Sequence, residues 1–373
     1  MMNLRKVVLL SGALLAAGLI SNPGHAQTSS NVHVLISGLQ GPRGLRFGAD
    51  GFPYVAEAGT GGKTSTAGTC TQVPAPVGPY KGGKSGRISK IDMSGNRITV
   101  AFGLPSAIGG MGQVQGVADV EFVGGQLYAL LAGGGCSHGN TDMPNAVISV
   151  NPKNATWSMV ANLSKFLIAH PAKYPNPDDF EADGTFYSMM PYNNRLYAVE
   201  PNHGQILSVG TDGLVGSVMD VSASEGHIVP TAMAQRGGAI LLGNLDIFPI
   251  EGNRSRVLSL SYSECSRVRI PGLEDAPNSL HVLSSKAGFT TIVSLAFGPD
   301  GLLYVLELSD AVGNPTPGAG KVVRVNADGS IVDIATGLTV PTGMTFGPDG
   351  KIYVSNFGAA PAGAGQIVWI DAP

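Results

Sequence analysis

One short text is written three times in this chain with little change. Pro42-Arg-Gly-Leu45-Arg-Phe47-Gly48-Ala-Asp50-Gly51-Phe-Pro-Tyr54-Val-Ala-Glu57 is matched by Val293-Ser-Leu295-Ala-Phe297-Gly298-Pro-Asp300-Gly301-Leu-Leu-Tyr304-Val-Leu-Glu307. It returns as Pro341-Thr-Gly-Met344-Thr-Phe346-Gly347-Pro-Asp349-Gly350-Lys-Ile-Tyr353-Val-Ser-Asn356. Strand-like text on either side of an Asp-Gly turn spells a β-hairpin. A hairpin that recurs at long intervals means a modular β architecture, which decides the fold class before anything else.

Three looser copies fit the same frame, around Leu127-Tyr128, Leu196-Tyr197 and Ile240-Leu241. Each hairpin is followed by a third strand of the form Gly-x-[Ile/Val]-x-x-[Ile/Val], as at 86–91, 204–209, 320–325 and 365–370. A polar turn and a fourth strand follow, as at 331–335. Six units of four antiparallel strands predict an all-β, six-bladed β-propeller. The sixth unit stops after its third strand, and segment 32–36 is left to supply the fourth and close the ring. The 53 Gly, 25 Pro and 13% charged residues agree with a turn-rich chain poor in long helices.

Connection lengths orient the ring. Tight turns such as 49–51, 193–194 and 349–350 fall on one face. The opposite face receives the long connections, the largest at 58–85, 132–145, 164–183 and 274–291. Long loops on a rigid scaffold are where binding and catalysis are expected.

At the N-terminus, Arg5 and Lys6 precede an uncharged apolar run at 7–20, and Gly24-His25-Ala26 offers a cleavage site before Gln27. Residues 1–26 therefore read as a signal peptide, and 27–373 as a single exported propeller domain, secreted or periplasmic. No later run is long enough to predict a membrane span. A net charge of −3 argues against a nucleic-acid partner.

The residue that ends each second strand forms a column around the ring: Glu57, Leu131, Glu200, Asn244, Glu307 and Asn356. Oxygen donors there, Glu200 and Asn244 first, could hold a hard divalent cation such as Ca²⁺. They could equally serve acid–base chemistry, or accept hydrogen bonds from loop amides. The histidines His138, His170, His203, His227 and His281 are all expected in long-face loops. The densest polar text lies in blades two to four: Cys136-Ser-His138, Asp178-Asp-Phe-Glu181-Ala-Asp183, Glu200-Pro-Asn202-His203 and Glu225-Gly-His227. Asp119, on the first strand of blade two, is expected to point towards the same place. No Gly-x-Ser-x-Gly elbow and no His-Glu-x-x-His spacing is present. Cys70 and Cys136 fall in equivalent loops of neighbouring blades, so a disulfide is expected between them, with Cys265 left over.

Between residues 32 and 370 the chain resembles the ScyD/ScyE family of exported bacterial propellers, related to NHL-repeat propellers. The resemblance is carried by Pro74-Ala-Pro-Val-Gly-Pro-Tyr80, Gly135-Cys-Ser-His138-Gly, Asp178-Asp-Phe-Glu181, Glu200-Pro-Asn-His-Gly204 and Gly226-His-Ile-Val-Pro-Thr231. It implies an extracytoplasmic propeller and brings no agreed set of catalytic residues with it.

Two readings of function follow. The first is a binding propeller that takes a small organic, glycan-like or protein ligand on the long-loop face, with His138, Glu181, Asn202, Asn244, Glu57, Glu307 and Asn356 as candidate contacts. The alternative is a metal-assisted hydrolase or lyase at the channel mouth of blades two to four, using His203, His227, Glu200 and Asp119. Convergence of these side chains in an open pocket would favour the enzyme. Their engagement by loop amides and ion pairs would favour binding.

Overall fold

The computed structural model describes residues 28–262 and 279–372. The expected signal peptide, Cys265 and the start of the expected loop 274–291 lie outside them.

Blade one is built from Pro42–Phe47, Pro53–Glu57, Lys81–Ile91 and Arg97–Ile108, with the two-residue strand Val114–Gln115 added at its edge. Blade two comprises Val117–Val123, Gln126–Leu131, Ala146–Asn151 and Thr156–Asn162; blade three, Ser188–Tyr192, Arg195–Glu200, Gln205–Gly210 and Val215–Asp220. Blade four comprises Pro230–Arg236, Ala239–Asn244, Ser255–Tyr262 and Leu280–Phe289; blade five, Ile292–Phe297, Leu303–Glu307, Gly320–Val325 and Ile331–Leu338. Blade six takes Gly343–Phe346, Ile352–Asn356 and Gly365–Ile370 from the end of the chain and Val32–Leu39 from its beginning. This closure pairs Val32 with Ile370, Val34 with Val368 and Leu39 with Gly365, as the sequence predicts. The fold is a six-bladed β-propeller.

The cassette has a physical reason. In its three clear copies a tyrosine hydroxyl donates to the turn aspartate at 3.0 Å: Tyr54 to Asp50, Tyr304 to Asp300, Tyr353 to Asp349. The ring needs the space above Gly48, Gly298 and Gly347, where a Cβ would stand 2.5–2.7 Å from it. Blades two, three and four lack this brace and turn instead through Gly124-Gly125, Asn193-Asn194 and Gly237-Gly238, with positive φ at both residues.

Apolar layers fill the spaces between blades. Tyr54, Ile88, Val120 and Leu131 pack blade one on blade two, and Leu130, Leu163, Met189 and Leu196 continue between two and three. Leu45, Val55, Tyr353 and Ile367 complete the circle between six and one. A blade is covered on both faces, so its second strands are buried throughout instead of alternating; Pro53–Glu57, Leu303–Glu307 and Ile352–Asn356 are apolar except at their polar ends and buried along their whole length.

Outer strands do not announce themselves in this way. Leu280–Phe289 is a strand where a loop was expected, which moves His281 out of the long loops and into a pair with Ser261. Its solvent-facing polar text carries no apolar alternation. The expected loop 58–85 is likewise shortened by Lys81–Ile91, and 164–183 contains the helix α1, Leu163–Ala169.

Candidate functional site

The polar column is where the second strands end, and each member except Leu131 ties down a loop. Glu57 accepts from Gln40 N, Glu200 from Thr185 N, Glu307 from Thr290 N and Asn356 from Thr339 N, each reaching the connection that precedes its own blade. Asn244 donates to Ile228 O and accepts from Arg256 N. The choice of side chain follows the second partner. Glutamate stands where both oxygens meet donors: Ser89 and Arg97 at Glu57, His203 N at Glu200, Lys321 at Glu307. Asparagine stands where the second partner is an acceptor, such as Ile228 O. Hydrogen bonds to loop backbone thus occupy these groups. Among the described residues, no three His, Cys, Asp or Glu side chains come together as a metal-ligand set.

Asp119 is separate from the other candidates. It lines the narrow axial channel with Gly44, Arg46 and Met189, and its carboxylate accepts from Val120 N and Met189 N at 2.8 Å. Only a glycine at 44 leaves room for it, since a Cβ there would fall 1.7 Å from its oxygen. Arg46 is held by Glu121 at 2.6 Å. Near the long-loop end the channel is narrowed by Arg43, Tyr187 and Thr342, with Tyr187 Oη donating to Thr342 O at 3.0 Å.

Glu57, Asn244, Glu307 and Asn356 stay apart on their own blades, but His138, Glu181, Glu200, Asn202, His203 and His227 gather beneath the connection from blade two to blade three. His138 Nε2 lies 3.1 Å from Glu181 Oε2, and His227 Nε2 3.0 Å from Asp179 Oδ2. His203 Nε2 lies 2.8 Å from Glu181 O, while its ring stacks on Phe180 at 4.9 Å. Asn202 donates to Asp179 O. Because a carbonyl oxygen only accepts, His203 carries a hydrogen on Nε2. Ser137, His138 and Glu181 stand in a row like a nucleophilic triad, with Ser137 Oγ 3.2 Å from His138 Nδ1. Ser137 is nevertheless fully buried and gives its hydrogen to Asp183 Oδ2 at 2.7 Å, so it is not a nucleophile.

Burial sets the protonation of several groups. It pushes Asp179 well above the usual carboxylate range, with Glu181 and Glu200 adding to the effect, and lowers His227 to about 4. The Asp179–His227 contact is therefore read as a neutral acid donating to a neutral imidazole, not as an ion pair. Burial also raises Asp119 to about 6 and Glu307 to about 7. Stability from these raised carboxylates is complete below pH 4 and is lost as pH rises through 6 and 7. His227 acts oppositely, losing stability as pH falls from 6.5 towards 4. Each such shift is worth about 3 kcal/mol, and several carboxylates outweigh one histidine. Melting temperature is thus expected to rise from pH 7 to pH 5, and Glu307→Gln to flatten the rise. A melting series that falls over this interval would contradict the assignment.

Above this buried cluster is an open cleft of about 440 Å³. Its lining comprises the Cys70–Cys136 bridge, Leu167 and Ile168 of α1, and apolar residues from Pro171 to Ala182, with Thr71, Asp183 and His203 as polar groups. It shares no residue with the lining of the channel, so the open site lies to the side of the axis. The expected disulfide is formed, with a Cα–Cα distance of 6.2 Å. The opposite wall is fixed from several sides. Asn162 caps α1 through Lys165 N, Asp220 accepts from Lys173 N, Ser222 Oγ from Tyr174 N, and Gln205 donates to His170 O. His203 is expected from the sequence at the channel mouth and instead lines this cleft beside the axis, while Asp183, part of the dense polar text, and the apolar lining are not among the expected site residues. Asp183 is visible in the acidic text 178–183, whereas Ile168 and Phe180 carry no signal that separates a cleft wall from a core.

No family model matches the chain, and no curated protein matches it. Solved structures that it resembles include a putative oxidoreductase (glucose dehydrogenase) from Thermus thermophilus, at 15% identity over 92% of this chain and 100% of that one, TM-score 0.51. The PQQ domain of pyranose dehydrogenase from Coprinopsis cinerea matches at 13% identity over 94% and 98%, TM-score 0.50. A luciferin-regenerating enzyme matches at 10% over 93% and 96%, TM-score 0.51. At these identities, what the chain shares with them is the propeller fold.

Proposed function

We propose that this protein is an exported, single-domain binding propeller of the ScyD/ScyE kind, with residues 1–26 as its signal peptide, and that it takes a small organic ligand in the cleft over blades two and three. The cleft carries this reading. Its 440 Å³ lies within the range of small-molecule sites, and an apolar lining with a few directed polar groups is their usual make-up. Such a lining suits an apolar body better than a glycan. The Cys70–Cys136 bridge supports an oxidising compartment. No described helix is long and apolar enough to cross a membrane. The strings around Glu200 and Gly226 support the family placement. The hydrolase or lyase reading lacks comparable support, because Glu200, Glu181, His227 and Asn244 are engaged by neighbours and Asp119 is in the channel.

Saturable binding of the neutral fluorophore 2-naphthol is expected. Ala182→Trp, which fills the cleft from its wall, should weaken it about tenfold or more without lowering the melting temperature. Equal binding by wild type and Ala182→Trp would remove the cleft from the function.

A further inference from the structure

We propose that the cleft selects an apolar ammonium, with Asp183 as its counter-charge; this rests on the cleft being the ligand site. Asp183 is 9% exposed and lines the cleft, yet it forms no ion pair among the described residues. Its Oδ2 accepts from Ser137 N at 2.8 Å and Ser137 Oγ at 2.7 Å, both neutral donors. Oδ1 has no hydrogen bond among the described residues. Gly135 makes this seat possible, since a Cβ there would lie 2.1–2.5 Å from the Asp183 side chain.

The network behind Asp183 does not neutralise it. Ser137 gives its hydrogen to Asp183, so His138 Nδ1 must donate to Ser137 Oγ. The remaining proton lies between His138 Nε2 and Glu181 Oε2. Imidazolium with carboxylate and imidazole with carboxylic acid have the same total charge, zero. With Asp183 as the carboxylate, one negative charge is left over at the cleft wall. A nearly buried charge without a partner is unfavourable, and a cationic ligand supplies the missing partner.

The remaining polar groups of the lining agree. Thr71 and His203 are the other polar groups, and no lysine or arginine belongs to the lining. Lys173 is nearby in sequence, but its ammonium lies over the Tyr174 ring at 5.1 Å. Phe180 adds an aromatic face of the kind that attracts cations. A carboxylate and an aromatic face within an apolar wall describe a receptor for a hydrophobic amine.

The test uses three probes of one shape: 2-naphthylmethylamine, 2-naphthylmethanol and 2-naphthylacetate, titrated calorimetrically against the full mature chain. The amine is expected to bind roughly tenfold tighter than the alcohol, with the carboxylate weakest. Asp183→Asn should bring the amine-to-alcohol ratio close to one, and added salt should weaken the amine alone. The wild-type ranking and its salt dependence keep the proposal testable even if the variant folds poorly. Alcohol binding that Ala182→Trp abolishes, without preference for the amine, would overturn the ammonium assignment and leave the cleft. Failure of all three probes to bind would overturn both.

Discussion

Glu200→Ala is expected to destabilise the propeller by about 4 kcal/mol, a fall in melting temperature of roughly 5–10 °C. Glu200 is fully buried and accepts from Thr185 N at 2.8 Å and His203 N at 2.6 Å. Alanine strands both donors, at about 1–3 kcal/mol each, and leaves a cavity. Burial raises the Glu200 carboxyl above its usual range, so part of that loss is offset by removing a poorly solvated acid. Glu200→Gln should lie between the two, since the amide keeps one acceptor and turns a donor towards the other N–H. Thermal melts of the pair check the argument, and an alanine variant as stable as the glutamine one would show that the two backbone donors find other partners. Ligand affinity should fall as well, because His203 is positioned through its own backbone by this carboxylate.

The second large effect is expected from removing the bridge. Cys70 and Cys136 are 66 residues apart in sequence, and freeing a loop of that size costs about 4 kcal/mol on the chain-entropy account. Cys70→Ser/Cys136→Ser should therefore melt several degrees lower than wild type. The same change removes one wall of the cleft, and 2-naphthol affinity should fall together with stability. The loop also has noncovalent ties, among them Thr66 Oγ1 to Cys136 O, Gln113 Nε2 to Val77 O and the packing of Val73, Val77 and Tyr80 on Ala107. Undiminished affinity in the double variant would mean that the loop is held without its bridge and that the bridge serves stability alone.

The fold was largely legible because the cassette encodes its turn and brace in side chains that have no substitutes: a glycine for space, an aspartate for the tyrosine hydroxyl, a glycine for positive φ. Ring closure could be read because one unit lacked a strand and another segment had no unit. The outermost strand at 280–289 was not readable, since a strand wet on its outer face has no apolar period. The column was visible as positions but ambiguous in role: glutamate and asparagine at the end of a strand look the same whether they await a cation or hold a loop, and only the distances to Gln40 N, Thr185 N, Thr290 N and Thr339 N separate the two. The cleft was the least readable feature. Its walls are Ile168, Pro171 and Phe180, ordinary apolar residues whose exposure depends on how the connection between blades two and three is draped. Convergence was predicted for Asp119 along with the others, yet Asp119 meets Gly44 and Met189 in the channel, because an inner-strand side chain pointing inward faces the axis.

The pairing of Val32–Leu39 with Gly365–Ile370 also sets a timetable. During synthesis the first of these segments leaves the ribosome long before the second exists, so blade six cannot be completed until the last strand has been delivered. Five blades can form in turn as they appear, but the ring stays unlatched throughout. The step that finally locks the ends together needs the C-terminal strand and is therefore the last to occur.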